Sequence, residues 1–241
     1  MATAASNRKN IKRNRKAVFG LECQVTSNKS RAYATRSSIE ENRALILKNY
    51  TAAFMGNRQL ANQNTDDIFR NRRTLLANLD AKSDVETNYV ESRLNEAAID
   101  YLEHRAALNA SVLEVNDLMT QVNAKLIEIN SKIMKSNENI VNFNSKNIAL
   151  NSKILAAGLS PKSATPASNA RRISSNKERL GKILKVAKSN ASRIANLYKV
   201  ASKNRAAIEK NANGIIARRK SIEANQKIIS QNQGRVEKLI S

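Results

Sequence analysis

The sequence predicts an all-α fold, an elongated coiled coil or helical bundle built from long heptad helices. Three observations predict it: few chain breakers, few aromatics and a seven-residue asparagine repeat. Among 241 residues there are six Gly and two Pro, Trp is absent, and Phe and Tyr together make up 4%. A globular core of this length normally recruits more large rings, because each buries so much apolar area. Few turn makers imply long uninterrupted elements. Ala, Ile, Leu and Val still lift the hydrophobic share to 41%, too high for wholesale disorder.

Both prolines fall in Gly158-Leu-Ser-Pro161-Lys-Ser-Ala-Thr-Pro166, which must end a helix. A softer break lies near 80–84, where Ser83 or Asp84 can cap the following helix. The reading that results is a basic N-terminal arm over 1–36, then long helices over 37–157. A Pro/Gly turn over 158–167 and a basic long helix over 168–241 complete it. The helices are expected at about 38–79, 85–157 and 168–240. The two longest are equal in length and separated by a short turn, which suggests an antiparallel hairpin between them.

The asparagine repeat is the most specific feature. In the second predicted helix Asn88, Asn95, Asn109, Asn116, Asn123, Asn130, Asn137, Asn144 and Asn151 fill nine of ten successive heptad positions, and Leu102 fills the other. Asn is 32 of 241 residues, so chance would place about one there. The third predicted helix carries Asn169, Asn176, Asn190, Asn204, Asn211, Asn225 and Asn232. The first carries shorter pieces at Asn42 and Asn49, then at Asn64, Asn71 and Asn78.

In the third helix an apolar residue follows each ladder position by four, through Ile173, Leu180, Ala187, Ile194, Ala201, Ile208, Ile215, Ile222, Ile229 and Val236. Calling these heptad position a places the ladder at d, inside the apolar face. In the second helix the a series includes Leu113, Ile127, Met134, Val141, Ile148 and Leu155. A second flank (Val115, Val122, Ile129, Phe143, Leu150) offers surface for lateral contact. Near residue 57 the phase slips by one, and between Leu75 and Val85 by three, which marks a local rewinding or bend.

Asn at so many seam positions is expected to specify register and partner number at some expense of stability. Facing amides carry both donors and an acceptor and can satisfy one another. Ile at a with Asn at d resembles the stalk repeats of trimeric autotransporter adhesins, a likeness of repeat pattern only. The resemblance implies a second use for the amides, holding small anions inside a parallel trimer. Asn and Ala bury little area, so an isolated helix pair is expected to be marginal and stability to come from lateral assembly.

Net charge is +22. The arm carries net +8, residues 37–84 net +1, residues 85–157 net −2 and residues 158–241 net +15. Such an excess points to an acidic protein or nucleic acid as partner. The candidate polyanion-binding residues are Arg8, Lys9, Lys12, Arg13, Arg15 and Lys16 in the arm, with Arg171, Arg172, Arg218, Arg219 and Lys220 in the last helix. The arm cluster reads equally as phosphate contact, as nuclear targeting, as a solvated tail or as an arm docked on an acidic neighbour. With base-stacking rings scarce, nucleic-acid binding is expected to be backbone-driven and sequence-independent. Arg171-Arg172-Ile173-Ser174 also fits a basophilic phosphorylation motif.

Catalytic, cofactor-binding and metal residues are not expected. His104 and Cys23 are single, so they assemble neither a metal cluster nor a nucleophile–base pair. A phosphate-binding Gly-rich loop is missing too, and a small-molecule substrate is not expected. The chain has no run of about 18 apolar residues, so no membrane span is expected. The N-terminus lacks a secretory apolar stretch, while its basic, acid-poor composition leaves organelle targeting open. The expected setting is intracellular or within an assembled particle. The expected role is a non-enzymatic scaffold that self-assembles through the Asn seams into a filament, sheath or lattice, docking an acidic partner on its basic surface. Nucleic-acid condensation, as in a virion core or nucleoid, is the alternative, followed by a basic linker that organises acidic protein complexes.

Overall fold

The structure, a computed structural model, describes residues 2–157 and 161–240, without the side chain of residue 157. Among the described residues all regular structure is helical. It comprises α1 (Ala4–Thr51), a π-helical turn (Ala52–Arg58), α2 (Gln59–Ala77), α3 (Asp84–Ala157), a 3₁₀ turn (Pro161–Ser163) and α4 (Pro166–Ile240). The all-α class is as predicted. The helices over about 85–157 and 168–240 are found within one or two residues of their expected ends. Gly158, Leu159 and Ser160 of the expected turn lie outside the described residues.

The arm predicted over 1–36 is instead the first two thirds of α1, helical from Ala4. Two local causes are visible. Thr3 caps the helix, its Oγ1 accepting from the Ser6 N–H at 3.1 Å while the Ser6 Oγ accepts from the Thr3 N–H at 3.3 Å, so two orphan donors are satisfied reciprocally. Arg, Lys and Ala are also among the best helix formers. The decisive cause is packing: Asn7, Leu21 and Thr35 are buried at intervals of fourteen residues. A charge count over 1–36 does not register that stripe.

The chain divides into two compact units, 1–67 with 163–234 and 68–162 with 235–241. In the first, α1 and the start of α2 lie beside α4, and the two run parallel. Asn7 meets Pro166, Asn28 meets Ala187 and Asn49 meets Ile208, so both numbers rise together. The partner of α4 in this unit is therefore α1, in parallel, not α3 in the antiparallel hairpin that equal helix lengths suggested. Equal length constrains which helices can pair, and the phase of buried residues decides which do.

In the second unit the end of α2 and the start of α3 are joined by a short turn. Ser83 caps α3 by accepting from the Glu86 N–H at 3.3 Å, and the Glu86 carboxylate accepts from the Lys82 N–H at 2.5 Å. The Phe69 ring meets Tyr101 edge-on at 5.1 Å. The Arg72 guanidinium lies over Phe69 at 4.9 Å and donates to Asp100 at 2.9 Å. The Arg105 Nε–H donates to the Tyr101 hydroxyl at 3.0 Å. These contacts close an antiparallel helical hairpin, 69 facing 101 and 72 facing 100.

Candidate assembly interface

The parallel pair in the first unit is held by a comb of asparagines. Asn7, Asn14, Asn28, Asn42 and Asn49 of α1 each donate Nδ2–H to a main-chain carbonyl of α4, at Pro166, Ile173, Ala187, Ala201 and Ile208, over 2.8–3.0 Å. Every pair is separated by 159 residues. Asn57, near the end of the π turn, and Asn64 beyond it donate to Ile215 and Ile222, both at 2.9 Å and both 158 residues away. Leu21 and Thr35 occupy the missing teeth and are buried.

Two features of the chemistry follow. A helical carbonyl has a second lone pair beyond its own i+4 bond, so it can accept an amide without breaking the helix. A side-chain to main-chain bond of this kind contributes about 1 kcal/mol net, and leaving a buried amide unpaired loses more. The comb therefore penalises any phase in which an amide faces an aliphatic side chain. Asn64, though in register through its Nδ2, keeps a buried Oδ1 without a hydrogen-bond partner.

The π turn explains the one-residue slip in the sequence pattern. Between Asn49 and Asn57 the comb spans eight residues, while the accepting carbonyls of Ile208 and Ile215 are seven apart. A turn with i→i+5 bonds absorbs one extra residue, and Ala52–Arg58 is that turn. Stacked Tyr50 and Phe54 (5.5 Å) and Arg58 over Phe54 (5.1 Å) brace it.

The ladder residues singled out from sequence are placed differently. On α4 the aliphatic residues Ile208 and Ile229 are buried and Ile194, Ile215 and Ile222 half-buried, while Asn176, Asn190, Asn204, Asn211, Asn225 and Asn232 are all exposed. On α3 Asn88, Asn95, Asn109, Asn116, Asn123, Asn130, Asn137, Asn144 and Asn151 are all exposed. So are the α3 aliphatics four residues on, with Ile127 at 69%, Val141 at 61% and Leu155 at 85%. Asn7, Asn14, Asn28 and Asn57 were not among the residues singled out. Their signal was present as the same spacing of seven, obscured by the basic cluster and by the extra residue before Asn57.

The basic candidates Arg8, Lys9, Lys12, Arg13, Arg15 and Lys16 on α1 are exposed, as are Arg171, Arg172, Arg218, Arg219 and Lys220 on α4. Arg219 is engaged locally, its Nε–H donating to Glu223 at 2.6 Å. On α3 the Glu128 carboxylate accepts from Lys132 at 2.5 Å and Lys125 at 3.0 Å, which holds its pKa below the usual carboxylate range. Cys23 and His104 are exposed. Among the described residues no helix is long and apolar enough to cross a membrane. No protein-family model matches the chain, and no curated protein or solved structure is significantly similar to it.

Proposed function

We propose that this chain is a non-enzymatic structural protein that self-assembles through its asparagine–aliphatic heptad faces. The observation that carries the reading is the mismatch between comb faces present and comb faces used. One comb, on α1, is engaged on a neighbouring helix; those on α3 and α4 face solvent together with a long aliphatic strip on α3. Contiguous exposed apolar surface beyond a few hundred Å² marks an interaction site. Here it comes with hydrogen-bonding groups of known preference, because the α1 comb displays what these amides bind. Filament, sheath and lattice are the forms such repetitive side-to-side contacts produce.

The exposed basic residues on α1 and α4 support a second element, an acidic partner held on that surface. Nucleic acid is the alternative partner and would be bound through phosphates alone. Electron microscopy of nuclease-treated protein in about 0.5 M salt, where exposed charges are screened, tests the order of these roles. Ordered filaments or sheets are expected. Dispersed particles that order only when polyanion is restored at low salt would overturn self-assembly in favour of condensation.

A further inference from the structure

α1 and α4 are two copies of one interaction element. They open on the same phrase, Thr3-Ala-Ala-Ser6-Asn7 and Thr165-Pro-Ala-Ser168-Asn169, with the same reciprocal Thr–Ser cap. Their combs have the same order of teeth and gaps, Asn7, Asn14, Leu21, Asn28, Thr35, Asn42, Asn49 against Asn169, Asn176, Ile183, Asn190, Leu197, Asn204, Asn211. Each copy therefore owns a donor strip and an acceptor strip. Among the described residues of the two combs, the donors engaged across the pair are those of α1 and the acceptors those of α4.

The two unused strips lie on one side of the pair. Ile11, Val25, Ile39 and Ile46 of α1 occupy the positions that carry accepting carbonyls on α4, and they are 43–52% exposed. Near the start of the pair a groove is lined by Ile11 and Val18 of α1 together with Asn176 and Ile183 of α4. Farther along, Ile46 and Asn211 line another stretch. Idle acceptors on one wall and idle donors on the other describe the vacant third place of a parallel three-helix coil, in which each helix donates to the next.

We propose that this place is taken by α3 of a second copy of the chain, lying parallel to α1 and α4. The proposal rests on the self-assembly reading above. α3 carries a similar code, Asn at nine of ten successive heptad positions with an apolar residue four on from seven of those nine, and within its own chain both strips are exposed. It is also the one helix of acidic balance, net −2 over 85–157 against +8 over 1–36 and +15 over 158–241, so charge favours α3 over a third basic helix. The docked α3 donates its amides to carbonyls of the α1 strip and accepts those of α4 on its own. The receiving groove and the docking helix are different surfaces, so the contact is heterologous and each copy can serve in both roles, which extends into a filament unless rotation closes a ring.

Mixing ¹⁵N-labelled with unlabelled protein, assembling, and cross-linking amines before mass spectrometry tests this. Mixed-label links from Lys125, Lys132, Lys135, Lys146 and Lys153 of α3 to lysines of α1 and α4 are expected, with residue numbers rising together on both sides. Mixed-label links confined to α4 with α4 or α3 with α3, falling numbers, or α3 links only within one label would overturn the proposal. N116A/N123A/N130A on α3 keeps helix propensity and leaves the α1–α4 comb intact. It should raise the concentration needed for assembly at least about tenfold; an unchanged threshold counts against the proposal. If the unaltered protein does not assemble, self-assembly itself fails. If it assembles without mixed α3 links, only this docking mode does.

Discussion

Asn49 donates to the Ile208 carbonyl across 159 residues of chain, and the next tooth, Asn57, reaches Ile215 across 158. The extra residue in α1 is stored in the π turn Ala52–Arg58. Deleting the exposed Met55 should let that turn relax to an ordinary α-helix with the comb spacing restored to seven. Thermal unfolding of this deletion is expected at or above the midpoint of the unaltered protein. Deleting Ala32, inside the regular stretch, instead shifts Asn7, Asn14 and Asn28 off their carbonyls and should lower stability by about 2–3 kcal/mol. Equal losses from both deletions would show that the π turn is not a register device.

Asn42 and Asn204 are the same residue type in the same heptad phase, one buried on the Ala201 carbonyl and one exposed. Urea unfolding of dilute protein should show Asn42→Ala destabilised by about 1–2 kcal/mol. Asn204→Ala should stay within about 0.5 kcal/mol of the unaltered protein. Comparable effects would mean that the amide bonds do not hold the pair.

Gly181 lies within α4, and a Cβ built on it meets nothing within 4 Å. Gly181→Ala removes backbone freedom from the unfolded chain and improves helix propensity, so a gain of roughly 0.5–1 kcal/mol is expected. A loss in calorimetry would point to close approach at that position.

In the second unit Tyr101 joins the Phe69 edge contact to the Arg105 hydrogen bond. Tyr101→Ala should speed amide exchange around 69–77 and 84–105 while leaving exchange at 7–49 unchanged. Uniform acceleration along the chain would show that the two units unfold as one.

Helix content, the ends of α3 and α4 and the two phase slips were legible in the sequence, because Pro, Gly and a period of seven leave strong local signals. Orientation was not. Equal lengths and a short turn favoured α3 against α4, whereas the parallel α1–α4 pair depends on Asn7, Leu21 and Thr35 inside a segment whose charge reads as a free arm. The ladders on α3 and α4 were expected to be seams, and within one chain both are exposed. Sequence periodicity marks an amphipathic face and does not say which helix lies on it.

The uniformity of the comb has a mechanical side. Moving α1 along α4 by seven residues, about 10.5 Å, brings Asn7 to the Ile173 carbonyl, Asn42 to that of Ile208 and Asn57 to that of Ile222, each again an aliphatic position on α4. Half-steps strand the amides, whole steps re-seat them. A seam of this kind behaves as a rack with evenly cut notches: it resists twist and reversal at every tooth, but its length is indexed, with the end caps at Thr3 and Thr165 marking the home notch. Under tension the α1–α4 pair is expected to yield in steps of seven residues, each step setting the amides on a new row of carbonyls.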